Sequence, residues 1–144
     1  MKHQSPVYRA AGVCLLLWIG AYLIAGSEQD QSPRRISATD AMALASEVAN
    51  AHGPVTLSEN QRPFDPDFYY FAATWPNPTG SPVAGHYAVN PWTGDVWDAD
   101  GCKRLESPSL SKLQDAVRKK SGLGRSVYSK LRAKRPLCIE KGQQ

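Results

Sequence analysis

The chain has 144 residues, of which 42% are hydrophobic and 21% are charged, with a formal net charge of +4. This usage is ordinary for a globular protein, so it excludes a disordered chain and a membrane protein with many spans. Eleven glycines and eleven prolines are scattered along the sequence, which excludes a collagen-like or low-complexity chain. The three cysteines lack metal-type spacing, and we expect neither a metal nor another cofactor.

The first 27 residues predict export. Two basic residues and no acid occur in the first nine positions, and residues 10–26 form a run of seventeen uncharged residues. This order is typical of a secretory signal, with cleavage expected before Glu28. An inner-membrane anchor is the alternative, although seventeen helical residues span only about 25 Å of a hydrocarbon core of about 30 Å. Either reading predicts a periplasmic or secreted domain, joined by a polar linker at residues 28–36.

Cysteine use agrees with export. Cys14 lies in the apolar run, and without it Cys102 and Cys138 remain, an even number suited to an oxidising compartment. A disulfide between them would close a separation of 36 residues. Because it closes a loop in the unfolded chain, such a bond raises the free energy of unfolding by roughly 3–4 kcal/mol. Two free thiols are the alternative.

The domain is predicted to begin with a helix. Ser37 is its N-cap, and Asp40 follows at the spacing of a capping box. Apolar residues recur at three- and four-residue intervals as far as His52, and Gly53-Pro54 ends the helix. We expect the apolar face of this helix to pack on a sheet.

Apolar and aromatic alternation predicts an antiparallel meander of three or four strands. The candidate strands lie at residues 55–57, 67–75, 83–89 and 95–98. The proline-rich segment 76–82 cannot continue a hydrogen-bonded ladder and must be a loop. The segment 90–94 is a turn, in which Gly94 is able to adopt positive φ.

The last third of the chain predicts two short helices. Ser107-Pro108 begins the first, Gly122 ends it, and Pro136 closes the second. The two cysteines lie at the ends of this pair, so a disulfide would tie the C-terminal tail back to the hairpin. The sequence therefore predicts one α+β domain at residues 37–141, with an N-terminal helix on the meander followed by the helical pair.

Charge is divided between the two halves of the chain. Residues 28–102 carry three basic and ten acidic residues, whereas residues 103–144 carry twelve basic and three acidic residues. The basic helical tail is either a solvated helix face or a docking surface for an acidic partner such as anionic lipid. Nucleic acid is not an expected partner outside the cytoplasm.

Signals of catalysis are sparse. His86 lies on a candidate strand, and Asp95 and Asp98 lie on the next one. A His–carboxylate pair is able to act as a general base, but cross-strand pairing explains the same residues. No serine lies in a Gly-x-Ser-x-Gly elbow. We expect no enzyme, and a hydrolase using His86 is the third hypothesis.

Aromatic residues point to binding. Nine of them fall within one short stretch of the chain, and about half must fill the core. Trp92 occupies the turn itself, where it is either an exposed binding anchor or folded back onto the sheet. Together with Trp75, Asp95, Trp97 and Asp98, it makes up the predicted set of partner-binding residues.

The hairpin sequence Tyr87-Ala-Val-Asn-Pro-Trp-Thr-Gly-Asp-Val-Trp97 resembles the PepSY-type pattern, in which a strand ends in a Thr-Gly turn and returns through a valine. Residues 37–98 are also similar to small exported bacterial immunity proteins with a nuclear-transport-factor-2-like or cystatin-like fold. Both resemblances imply binding without catalytic residues. PepSY-like domains are associated with restraining peptidases or regulating envelope processes, and immunity proteins with blocking a toxin.

The leading hypothesis is therefore an exported inhibitor or immunity protein that covers the active site of a cognate envelope-directed toxin or hydrolase. In this hypothesis the hairpin tip enters the partner, and the acidic strand edge faces a basic cleft. The alternative is a membrane-tethered envelope module whose basic helical tail contacts anionic lipid.

Overall fold

A computed structural model describes residues 33–60 and 65–138 of the chain. The predicted signal or anchor at residues 1–27 and the first part of the predicted linker lie outside these ranges, so both stay predictions. Within the described ranges, no helix has the length and apolar character needed to cross a membrane.

The described residues form three α-helices and a five-stranded antiparallel sheet. Helix α1 spans Ala38–Ala49 and runs into a 3-10 turn at Asn50–His52. The strands are β1 (Thr56–Glu59), β2 (Tyr69–Thr74), β3 (Val83–Val89), β4 (Val96–Asp98) and β5 (Lys103–Arg104). Helices α2 (Pro108–Ser121) and α3 (Arg125–Arg132) follow. The strand order is β1-β2-β3-β4-β5, which confirms the predicted α+β meander.

The sheet has five strands, whereas the sequence predicted three or four. The extra strand, β5, has only two residues and pairs with β4 through Trp97 and Asp98. Asp98 also shapes the turn between the two strands, because its Oδ1 accepts the backbone N–H groups of Asp100 and Gly101 at 3.0 and 3.1 Å. A two-residue strand is too short to show the alternation on which sequence prediction depends.

The signals at the helix ends are confirmed. The Oγ of Ser37 accepts the backbone N–H of Asp40 at 3.0 Å, and the Oγ of Ser107 accepts that of Leu110 at 3.1 Å. Gly122 ends α2 with φ 64°, in the left-handed region that favours glycine. These caps satisfy backbone groups that would otherwise lack partners at the helix ends.

Both faces of the sheet are packed. Helices α1 and α2 cover one face, where the main core consists of large apolar side chains from both helices and from β2, β3 and β4. They include Leu44, Phe71, Val89, Val96, Leu110 and Val117. The second core lies on the opposite face and consists of Phe68, Tyr70, Ala88, Trp97 and Ala99.

Gly94 lets the turn between β3 and β4 approach the two helices closely. Its φ is 73°, as the sequence predicted for this turn. A Cβ at this position would lie 3.2 Å from Leu44 Cδ1 and 3.4 Å from Val117 Cγ1. The turn therefore packs against the place where α1 meets α2.

The C-terminal tail, residues 133–138, is held by a disulfide and by a buried carboxylate. Cys102 and Cys138 are bonded, with their Cα atoms 5.4 Å apart, which confirms the predicted pair. Asp65 is 8% exposed, and its Oδ2 accepts the backbone N–H of Leu137 at 3.0 Å. The same carboxylate is hydrogen-bonded to the hydroxyl of Tyr70, so the tail is tied to the second core.

Replacing both cysteines by serine should lower the free energy of unfolding by about 3–4 kcal/mol, because the unfolded chain is then no longer closed into a loop. Urea unfolding of the oxidised chain and of the Cys102→Ser/Cys138→Ser variant measures the difference. The reduced wild type is the control and should match the variant. Equal stability of the variant and the oxidised wild type would show that the bond contributes nothing to the fold.

Candidate functional site

The five predicted partner-binding residues do not form one surface. Trp75 follows β2, at the end of the sheet opposite the β3–β4 turn that contains Trp92. Trp97 and Asp98 are neighbours on β4, so their side chains point to opposite faces of the sheet. Of these two, Asp98, which pairs with Tyr87, lies on the face that carries α1.

Asp95 and Trp97 lie in the interior. Asp95 is 2% exposed; its carboxylate accepts the hydroxyl of Thr93 at 2.7 Å and lies 3.4 Å from the Nε of Arg132. Trp97 is 7% exposed and belongs to the second core, with the guanidinium of Arg104 5.9 Å from its ring centroid. We therefore place both residues inside the fold and not on the contact surface that the sequence predicted.

Trp92 is half-buried between two cations. The guanidinium of Arg35 lies 5.3 Å from its ring centroid, and the Nζ of Lys134 lies 5.0 Å away. Arg35 also lies 5.3 Å from the ring of Tyr69, and Lys134 pairs with Asp67 at 2.6 Å. Trp92 thus joins the segment before α1 to the C-terminal tail, and it is folded against its own chain.

The β3–β4 turn as a whole is enclosed by the chain. The Nδ2 of Asn90 donates to the carbonyl of Leu131 in α3 at 2.9 Å, and the backbone N–H of Ile36 donates to the carbonyl of Pro91 at 2.7 Å. Gln114 of α2 donates to the carbonyl of this turn's glycine at 3.1 Å. Insertion of the hairpin tip into a partner does not fit this arrangement, because the tip already binds three other parts of the chain.

His86 pairs with Asp100, not with the two aspartates that the sequence predicted. Its Nδ1 lies 2.9 Å from Asp100 Oδ1, and its backbone N–H donates to Oδ2 at 2.9 Å. The register places Tyr87 opposite Asp98, so the side chain of Asp98 points away from His86. The His–Asp pair ties the β4–β5 turn to β3. Within the described residues, no cluster of three or more His, Cys, Asp or Glu side chains is able to hold a metal.

A groove of about 790 Å³ opens between α1 and the segment that leads into α2, and we call it the α1–α2 groove. Its walls come from the second half of α1, the 3-10 turn, strands β3 and β4, and residues 105–109. The lining residues are Ala43, Ser46, Glu47, Val48, Asn50, Ala51, His52, Tyr87, Asp98, Leu105, Glu106, Ser107 and Ser109.

The α1–α2 groove is acidic. Glu47, Asp98 and Glu106 line it, and among the described residues no lysine or arginine does. Glu106 lies 3.6 Å from the Nε of Arg104, so its charge is partly balanced. Of the three carboxylates, the sequence analysis singled out only Asp98. Glu47 lies on α1 and Glu106 lies in the segment before α2, and no local pattern indicates that they meet.

Tyr87 is a groove residue whose phenol is hard to ionise. Burial raises the pKa of its phenol, and the nearby carboxylates of Asp98 and Asp100 raise this pKa further. The phenol is therefore neutral at physiological pH and offers a hydrogen-bond donor between the acidic side chains.

The comparisons with known proteins identify a likeness of fold. No protein-family model matches the sequence, and no curated protein sequence matches it. The fold is similar to a chain in the structure of a type VI secretion system effector-immunity complex from Pseudomonas protegens, with a TM-score of 0.54 and 23% sequence identity. The match covers 68% of this chain and 87% of that chain. Neither the PepSY-type nor the nuclear-transport-factor-2-like family is shown.

Truncating Asp95 should destabilise the fold, because it leaves the Thr93 hydroxyl and the Arg132 guanidinium without their acceptor. We expect Asp95→Ala to lower the free energy of unfolding by about 1–3 kcal/mol. Asp115→Ala, which removes an exposed carboxylate from α2, is the matched control and should have little effect. Urea unfolding compares the variants, and equal stability of Asp95→Ala and wild type would contradict the interior role.

Neutralising Asp98 should lower the pKa of Tyr87, because Asp98→Asn removes one nearby charge while asparagine keeps the Oδ1 acceptor of the turn. Tyrosinate absorbance in an alkaline titration measures the change, and Tyr87→Phe identifies the signal. The pKa of Tyr87 in the folded chain exceeds its ordinary value of 10.0, so this phenol ionises at a lower pH in the unfolded chain than in the folded chain. The free energy of unfolding therefore falls as the pH rises through the ordinary value. This alkaline loss should be smaller in Asp98→Asn. An unchanged titration would mean that Asp98 does not act on the phenol.

Proposed function

We propose that the chain is an exported protein-binding module that neutralises a cognate envelope-directed toxin or hydrolase by covering its active site. The observation that carries the proposal is the similarity of fold to a chain of an effector-immunity complex. An inhibitor or immunity protein of this kind acts by stoichiometric binding, which needs a stable complementary surface and no catalytic group.

The disulfide supports a site of action outside the cytoplasm. Disulfides persist in oxidising compartments such as the periplasm, and Cys102–Cys138 joins two distant parts of the domain. The export signal predicted at residues 1–27 agrees with this compartment. The partner we propose is therefore an enzyme of the cell envelope.

The arrangement of the sheet favours binding over hydrolysis. His86 and Tyr87 are neighbours on β3, so the side chain of His86 points to the face opposite the α1–α2 groove. His86, the candidate general base, is thus not among the residues that line the groove. The described residues that remain as proposed partner contacts are Asp98 in the groove and the accessible parts of Trp75 and Trp92.

Capture followed by neutralisation tests the proposal. The tagged full chain is used to isolate bound proteins from its own cell envelope, and the main bound protein is then purified separately. An equimolar amount of the chain should abolish the toxicity or hydrolytic activity of that protein.

An exported protein of similar size with the same tag is the control for capture. Full activity of the captured protein in the presence of excess chain would contradict inhibition. Retention on anionic vesicles without any bound protein would instead favour the membrane-tethered module.

A further inference from the structure

The α1–α2 groove combines an apolar floor with acidic walls. Val48 and Leu105 are partly buried and packed against the main core, and Glu47, Asp98 and Glu106 also line the groove. The groove volume of about 790 Å³ is large enough for several side chains. A surface of this composition is complementary to a long side chain that has an apolar stem and a positive end.

We propose that the α1–α2 groove binds a lysine- or arginine-bearing segment of the protein partner, with the cation held by Asp98 and Glu47. The inference rests on the proposed function, because it names the chemistry that the partner presents to this module. The stem of the basic side chain lies on Val48 and Leu105, as long cationic side chains do on apolar surfaces.

The carboxylate of Asp98 is fixed by its own turn. Its Oδ1 accepts the backbone N–H groups of Asp100 and Gly101, and its Oδ2 lies against Gly101. Because the turn fixes the carboxylate, a cation that enters the groove meets an acceptor group that is already oriented. Charge-assisted hydrogen bonds of this kind are stronger than neutral ones.

The charge of the groove also selects the class of partner. Anionic lipid headgroups are repelled by three carboxylates, and so is an acidic protein segment. The chain has a basic region of its own at the end of α2 and in α3, so a second copy is a competing occupant. The test must therefore distinguish a partner's basic segment from self-association.

The first experiment uses a probe that does not depend on identifying the partner. A tri-arginine peptide is titrated into the isotope-labelled exported chain, and a tri-citrulline peptide of the same shape without charge is the control. Amide shifts should occur at Glu47, Asp98 and Glu106 with tri-arginine only. Shifts confined to other acidic residues, or equal shifts with both peptides, would overturn the proposal.

The second experiment measures affinity for the captured partner. Glu47→Gln/Asp98→Asn should weaken binding by about 10- to 100-fold and reduce its dependence on salt, because two complementary charges are lost. Glu59→Gln/Asp115→Asn is the matched control: it removes the same number of negative charges, but from exposed residues outside the groove. This variant should bind with an affinity within about twofold of wild type. Thermal unfolding of both variants verifies that they are folded.

The outcomes separate this inference from the proposed function. A groove variant that binds and neutralises the partner as well as wild type overturns the groove inference and leaves the inhibitor function standing. A captured protein that the wild-type chain does not inhibit overturns the inhibitor function itself. Self-association of the wild type that disappears in the groove variant assigns the groove to a second copy and overturns the proposed occupant.

Discussion

The hydrogen-bonded turn between β3 and β4 is the constraint on which the other elements depend. The side chain of Asn90 organises it from within, because its Oδ1 accepts the backbone N–H groups of Trp92 and Thr93 while its Nδ2 reaches α3. The segment before α1, helix α2 and helix α3 each bind a different group of this turn. Asn90 is fully buried, so any of these bonds left unmade would cost desolvation without compensation. The turn therefore fixes the helices relative to the sheet.

The charge separation along the chain becomes a separation in space through the direction of α2. This helix begins at Pro108 beside the acidic groove, two residues after Glu106, and its last turn carries Arg118, Lys119 and Lys120. The first turn of α2 carries no acidic residue, whereas the three basic residues of its last turn are favoured by the helix dipole. The direction of α2 thus places a basic region at the end of the helix that lies away from the acidic groove.

The features that could be predicted from the sequence are those set by neighbouring residues. The caps at Ser37 and Ser107, the turn at Gly94 and the extent of β3 each depend on a few adjacent positions, and the structure has all of them. The disulfide was predicted from the expected oxidising compartment and from the even number of cysteines, because only two cysteines remain after the apolar run.

The functional surface depends on contacts between distant residues, and there the sequence was less informative. Aspartate is usually a surface residue, yet Asp95 is buried because Arg132, far along the chain, provides its counter-charge. The groove arises in the same way, from a glutamate on α1, a strand aspartate and a glutamate before α2. No local periodicity connects these three positions, so the sequence indicated an acidic half of the chain but not the place where its charges converge.

The position of the groove on regular secondary structure bears on its use as a binding surface. Glu47 lies on α1, Tyr87 on β3 and Asp98 on β4, and both helices that flank the groove are fixed by the β3–β4 turn. Residues held on rigid elements lose little conformational entropy when a partner binds, whereas a mobile loop must first be ordered. An inhibitor that acts by occlusion needs slow dissociation more than it needs adaptability, and mutational differences in affinity are expressed mostly in the dissociation rate. A preorganised acidic groove, in a domain whose tail is covalently secured by the Cys102–Cys138 disulfide, suits the proposed inhibitor.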